Sequence, residues 1–152
     1  MMRIPVFVAF LAASCMSRAV EYSGSAKPLV KQLTSVEMNG VAWLASGKAI
    51  GEDGRPGTYR RLLPQFQLSA GNADLKLMLK DKNAAVRIMA AQCVMLQKLD
   101  HTVPKELDDL VTEVGKQKDP IIWADQRGDV VEMTTVSAIL ARIALSPKTF
   151  AQ

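Results

Sequence analysis

The sequence predicts an all-α fold, built as a short stack of antiparallel helix hairpins. Of the 152 residues, 49% are hydrophobic but only 5% are aromatic. Ala, Leu, Val and Met must therefore fill the core, and they suit helices better than a β-sandwich. Apolar residues recur at three- and four-residue steps over residues 84–99, as in an amphipathic helix. Helix-boundary residues frame the next apolar stripe, with Pro104 before it and Gly115 after it.

The N-terminus has the layout of a secretory signal peptide. Arg3 precedes an apolar run from Ile4 to Ala13, and small residues follow this run. The run is too short to span a bilayer, which takes about 20 helical residues. We therefore expect residues 1–19 to be removed and the protein to be exported to the periplasm, to a membrane-anchored state or to the medium.

A second cleavage site competes with the first. Ala12-Ala13-Ser14-Cys15 resembles the lipobox of bacterial lipoproteins, although Ala12 stands where Leu is usual. This resemblance implies a signal over residues 1–14, lipid on Cys15, and membrane contact only through that anchor. Cleavage after residue 19 instead discards Cys15. Both alternatives stay open at this point.

Export lowers the positive charge of the chain. The intact sequence has 19 basic and 15 acidic residues, a net charge of +4 and a pI of about 9.2. Removal of residues 1–19 takes away Arg3 and Arg18 and no acid, which leaves 17 basic residues against 15 acidic ones. A net charge of +2 attracts nucleic acid only weakly, so we expect no nucleic-acid partner.

The mature chain is predicted to hold one domain. Residues 20–27 are short and polar, as in a tether, and residues 28–147 form the domain. Pro28 suits the first turn of a helix, and apolar residues at helical spacing continue to Val36. We predict that Asn39-Gly40 ends this helix.

The segment after Gly40 is harder to assign. Residues 41–45 form an apolar run that is too short for periodicity to distinguish a helix from a strand. Residues 46–58 are glycine-rich and match no phosphate-binding motif, so we predict a plain loop. Residues 59–68 predict a short helix interrupted at Pro64.

The second half predicts two helix–turn–helix units, over residues 74–99 and 104–146. In the second unit a long connector, residues 116–128, precedes the last helix. Asp129 and Glu132 resemble a capping box, which places the start of that helix at Asp129.

Residues 75–94 resemble a HEAT repeat. They contain a leucine-rich first helix, a short turn with Asp81, and a second helix that opens with Val86-Arg87. The resemblance implies a HEAT-like α-α superhelix. It also implies a structural role for Arg87, paired with turn acids such as Asp81. In the second unit a Val-Glu pair stands in place of Val-Arg.

No enzyme motif is recognisable in the sequence. Two cysteines and one histidine exclude a structural zinc site of Cys and His ligands, and Cys93 falls on an apolar helix face. His101 lies in a turn, and no G-x-S-x-G elbow accompanies it. The adjacent Asp108 and Asp109 point to different helix faces. We therefore predict no catalytic residue, no metal site and no cofactor.

The long connector is the predicted partner-binding site. It places Trp123 beside Asp125, Gln126 and Arg127. Long connectors in compact domains are often functional, and Trp and Arg are enriched at interface hot spots. The alternative interpretation is that Trp123 simply covers the end of the helix stack.

These observations predict an exported, non-enzymatic helical-repeat protein. Such a protein would act as a protein–protein interaction scaffold or adaptor in the cell envelope, because helical repeats commonly present binding surfaces. Two alternatives remain. One is an exported immunity or inhibitor protein that blocks a toxin or enzyme. The other is a HEAT-like lyase-type enzyme, against which export and the lack of an identifiable catalytic acid both argue.

Overall fold

The structure is a computed structural model, and it describes residues 21–47, 56–124 and 131–150. The predicted signal peptide, with Cys15, lies outside the described residues. Within the described ranges there are six helices and four strands. They are α1 (Ala26–Thr34), β1 (Glu37–Met38), β2 (Val41–Ala45), α2 (Thr58–Ser69), α3 (Asn72–Leu79), α4 (Ala84–Asp100), α5 (Lys105–Val114), β3 (Pro120–Ala124), β4 (Val131–Thr135) and α6 (Val136–Leu145).

The strands form a mixed sheet in the order β1-β2-β3-β4. β2 and β3 are parallel, with Trp43 opposite Ile122, whereas β3 and β4 are antiparallel, with Ile122 opposite Met133. Helices α2 to α5 form the crossover that parallel strands require between them. Leu44 and Ile121 belong to the same buried cluster as the helices, so one face of the sheet packs on the helical layer.

The prediction of an all-α fold is therefore wrong, and so is the HEAT-like superhelix as a description of the whole chain. This is an α/β fold. The undecided run Val41–Ala45 is β2, and the predicted connector contains β3, Pro120–Ala124. Val41 and Trp43 in β2, and Ile121, Ile122 and Trp123 in β3, are of the β-branched and aromatic types that favour strands. Each has only five residues, and each becomes a strand through pairing with a segment far away in the sequence.

The predicted start of the last helix is also wrong. β4 occupies Val131–Thr135, and α6 begins at Val136. Thr135, not Asp129, caps α6, because its Oγ1 accepts a hydrogen bond from the Ala138 N–H at 3.3 Å. Strand pairing with β3 engages the backbone that a helix from residue 129 would have used.

The prediction of a helix over residues 84–99 is confirmed, and α4 is the central helix of the fold. Its first eleven residues are buried, so it is enclosed on all sides rather than along one stripe. The Asn83 side chain caps it by accepting hydrogen bonds from the backbone N–H groups of Ala85 and Val86. Met89 is completely buried, whereas Leu96 is only half-buried.

Helix α2 is not interrupted at Pro64. It runs from Thr58 to Ser69 with Pro64 inside it. Proline removes one backbone hydrogen bond from a helix and crowds the preceding turn. Here Pro64 is exposed while its neighbours Leu63 and Phe66 are buried, so tertiary packing offsets the local cost.

A buried polar network links α2, α4 and the C-terminal turn. The Tyr59 hydroxyl donates to Gln92 Oε1 at 2.6 Å. Gln92 Nε2 in turn donates to the carbonyl oxygens of Pro147 and Phe150 at 2.9 and 3.1 Å. Tyr59 and Gln92 are both fully buried, so water cannot replace a missing partner.

We expect Tyr59→Phe to lower the free energy of unfolding by about 1–3 kcal/mol, because it leaves Gln92 Oε1 buried and unpaired. Urea unfolding followed by circular dichroism measures this change. Tyr22→Phe is the matched control. The Tyr22 hydroxyl also donates at 2.6 Å, to Asp81, but the pair is only part-buried, so water can replace it. Equal losses in the two variants would contradict a special role for the buried network.

Candidate functional site

The outer strand β4 presents the first candidate surface. Trp43, Ile122 and Met133 lie in one row across one face of the sheet, opposite the face that carries Leu44 and Trp123. Along this row Ile122 is 6% exposed and Met133 is 64% exposed. Val131, on the same strand face, is 53% exposed. No described strand pairs with the second side of β4, and we call residues 131–135 with this unpaired side the β4 edge.

The β4 edge carries one charged side chain, and that charge is neutralised within the molecule. Glu132 Oε1 accepts a hydrogen bond from Arg142 Nη1 on α6 at 2.8 Å. Native proteins commonly protect edge strands with charges that repel another chain. The ion pair weakens that protection here, because Arg142 offsets the charge of Glu132.

Trp123 lies next to the β4 edge, on the helical side of the sheet. Its Nε1–H donates to Ser46 Oγ at 2.8 Å. Its ring stacks on Phe150 with centroids 6.2 Å apart, and the Arg142 guanidinium carbon lies 4.3 Å from the ring centroid. Trp123 therefore packs against the buried core, but as part of strand β3 rather than as a cover on the end of a helix stack. The other three predicted binding residues, Asp125, Gln126 and Arg127, lie outside the described residues.

The second candidate surface is a cavity of about 550 Å³ at the N-terminus of α4. This volume falls within the range of small-ligand pockets, roughly 300–1,000 Å³. The β1–β2 hairpin, the turn before α4 and the segment before β3 enclose it. We call this cavity the α4 cleft. The side chains that matter chemically are Glu37, Asp81, Lys82, Asn83, Arg87 and Asp119.

The hairpin wall of the α4 cleft depends on an Asn-Gly turn. Asn39 has φ of 52° and Gly40 has φ of 75°, and such consecutive left-handed residues form the tight turns of two-residue hairpins. The expectation that Asn39-Gly40 only ends a helix therefore missed a hairpin. α1 ends at Thr34, and β1 follows at Glu37. Asn-Gly between apolar runs was the local signal that could have revealed it.

Arg87 is the central side chain of the α4 cleft. Its Nη1 donates to the carbonyl oxygens of Asp81 and Lys82 at 2.8 and 2.9 Å. Its Nη2 lies 3.0 Å from Asp119 Oδ2. The Arg87 side chain is only 9% exposed, and its buried Nε has no hydrogen-bond partner among the described residues.

The expected pairing of Arg87 with the Asp81 carboxylate is not observed. Asp81 Oδ2 accepts a hydrogen bond from the Tyr22 hydroxyl at 2.6 Å, and Oδ1 accepts one from the Asn83 N–H at 2.8 Å. Burial and, to a smaller extent, the hydrogen bond to Asp81 raise the pKa of Tyr22 above its usual range, so the hydroxyl remains a donor. Arg87 still has the structural role that the HEAT-like segment implies, because it holds two carbonyls of the turn.

Neither surface holds a cluster of metal-binding side chains among the described residues. No group of three or more His, Cys, Asp or Glu side chains within residues 21–47, 56–124 and 131–150 is placed to hold a metal ion. His101 lies exposed at the C-terminal end of α4. No helix in the described part of the chain is long and apolar enough to cross a membrane.

Cys93 is expected to be unreactive in the folded protein. Burial raises the pKa of its thiol from 9.0 to about 12, and the thiolate is the reactive species. In a Cys15→Ser variant, a chromogenic disulfide reagent at pH about 8 should label Cys93 only after denaturant is added. Because the folded pKa exceeds the unfolded one, the stability that this thiol contributes is complete below pH about 9 and is lost as pH rises towards about 12. Rapid labelling without denaturant would contradict the buried position.

Comparison with known proteins provides no family for this chain. No protein-family model matches the chain, and no curated protein matches it. The resemblance to a HEAT repeat therefore rests on residues 75–94 alone, and the structure forms this segment as the α3–α4 hairpin.

Proposed function

We propose that this protein is a non-enzymatic binding protein of the cell envelope, and that it holds a protein partner on the β4 edge. The observation that carries the proposal is the exposure of Val131 and Met133 on an end strand whose second side pairs with no strand among the described residues. Exposed apolar residues beside unpaired backbone groups are the features that strand addition uses.

The geometry favours a strand of the partner as the binding element. Backbone N–H and C=O groups along the unpaired side of β4 can hydrogen-bond to an added strand, and alternate side chains then contact its residues. Val131 and Met133 provide apolar contact on one face. The Glu132–Arg142 pair and Trp123 lie on the other face, where Arg142 stacks over the indole. The predicted binding residues 125–127 lie outside the described residues, and residues 128–130 separate them from β4 in the sequence.

Site-specific photo-crosslinking tests the binding surface. A photoreactive amino acid at Met133 should crosslink to a partner in intact cells. The same amino acid at Leu68 should not, because Leu68 is 90% exposed on α2, away from β4. The Met133→Lys variant should lower the yield of the co-purified partner at least about tenfold, which corresponds to about 1.4 kcal/mol. Leu68→Lys is the matched control for a new surface charge.

Two results would contradict the proposed surface. One is unchanged partner recovery with Met133→Lys. The other is an equal loss with Leu68→Lys. Identification of the crosslinked partner by mass spectrometry then distinguishes a scaffold or adaptor from an inhibitor, because an inhibited toxin or enzyme would be the captured protein.

The location in the envelope rests on the N-terminal sequence. We expect the native protein to begin at a lipid-modified Cys15 or at Val20, and N-terminal mass spectrometry of the purified native protein measures this directly. A diacylglyceryl group on Cys15 would establish the lipid anchor, and a Val20 N-terminus would exclude it. An intact Met1 in the mature protein would contradict export.

A further inference from the structure

We propose that the α4 cleft is a binding site for a carboxylate group. This carboxylate would accept hydrogen bonds from Arg87 at the position that the Asp119 carboxylate now occupies. This site is separate from the β4 edge and does not depend on the protein-binding proposal. Arg87 uses only part of its hydrogen-bonding capacity. The side chain is nine-tenths buried, and its Nε has no partner among the described residues.

The contact between Arg87 and Asp119 shows which ligand chemistry fits. Arginine binds carboxylates best through two parallel N–H···O bonds. Asp119 makes one contact, from Oδ2 to Nη2 at 3.0 Å, and its side chain is 54% exposed. A carboxylate that enters through the cleft can accept hydrogen bonds from both Nη2 and Nε. Asp119 can then turn into solvent at little energetic cost. Asp119 therefore acts as an internal substitute for the ligand.

The backbone around Arg87 also favours a negative group. The cleft lies at the N-terminus of a 17-residue helix, α4, whose dipole stabilises anions there. Arg87 is in the first turn of this helix, and Lys82 is exposed on the same rim. The Asn83 side chain is already engaged, because Oδ1 caps α4 and Nδ2 donates to Glu37 Oε1 at 3.2 Å.

The charge around the cleft selects a single negative charge. Three acids, Glu37, Asp81 and Asp119, face two cations, Lys82 and Arg87. This excess of acids repels a dianionic phosphate more strongly than a carboxylate, and a carboxylate that displaces Asp119 restores the ion pair at Arg87. The cavity of about 550 Å³ admits a small organic acid or the end of a polypeptide.

Titrations followed by amide chemical shifts test this site in the whole protein, at constant ionic strength. The probes are acetate, inorganic phosphate, and tri-alanine with a free or an amidated C-terminus. Acetate should produce saturable shifts at residues 82–87, and phosphate should not. Tri-alanine that binds more tightly than acetate, only with its free carboxylate, would identify a polypeptide C-terminus as the source. Equal affinities would identify a small acid.

The Asp119→Ala variant provides the decisive comparison. Removing the internal competitor should raise the affinity for acetate at least about fivefold, since acetate no longer has to displace a carboxylate. Asp109→Asn is the control, because Asp109 is exposed and paired with Lys105 on α5. The proposal is overturned if neither the natural protein nor Asp119→Ala shows saturable shifts at residues 82–87. It is also overturned if Asp109→Asn strengthens binding as much as Asp119→Ala does.

Discussion

Replacing Gly57 with Ala is expected to cost about 3 kcal/mol or more of folding free energy. A Cβ atom at Gly57 would lie 2.1 Å from the carbonyl oxygen of Ala45 and 2.6 Å from its carbonyl carbon. These are backbone atoms of β2, and Ala45 is paired with Ala124 of β3. The Gly57 N–H also donates to the carbonyl oxygen of Gly47 at 2.9 Å. Neither the segment at Gly57 nor the end of β2 can therefore move away freely.

Gly71→Ala is the matched control for this prediction. Both glycines precede a helix, Gly57 before α2 and Gly71 before α3, and both have negative φ. An added Cβ at Gly71 meets nothing within 4 Å. We expect Gly71→Ala to cost no more than about 1 kcal/mol, as for a helix N-cap change. Urea unfolding measures both, and similar losses would show that the close approach of Gly57 to β2 is not what limits stability.

Met89→Ala should lower the free energy of unfolding by about 2–5 kcal/mol. Met89 is fully buried in the middle of α4, so truncation removes apolar contacts and leaves a cavity. That loss is a large share of the roughly 5–15 kcal/mol by which a typical domain is stable. Leu96→Ala should cost less, since Leu96 is only half-buried near the end of the same helix. A loss below about 1 kcal/mol at Met89 would contradict the central position of α4.

The helices of the second half were predictable because their signals are local. The three- and four-residue spacing over 84–99 defines α4, and Asn83 caps it. Pro104 and Gly115 frame α5 as expected. Helical hydrogen bonds join residues four apart, so the information that specifies such an element lies within the element itself.

The strands were not predictable in the same way, because their stability comes from pairing. β2 and β3 have five residues each, and their parallel register joins Trp43 to Ile122 across the whole helical crossover. No periodicity of apolar residues within either segment indicates such a distant pairing partner. The Asn39-Gly40 turn did carry a local hairpin signal, but an isolated two-stranded hairpin is only marginally stable. Pairing of β2 with β3 provides the support that the turn alone lacks.

By itself, the sequence determined the α3–α4 hairpin and the burial of Cys93, because each follows from residues within one helical unit, whereas the structural role of Arg87 was implied by the resemblance to a HEAT repeat. Only the tertiary structure decided that the second half contains strands, that Met133 lies exposed at an edge, and that Asp119 faces Arg87. The physical reason is the same in each case. These features depend on which distant segments meet, and that is settled by the joint burial of the sheet and α4 rather than by the pattern of any one segment.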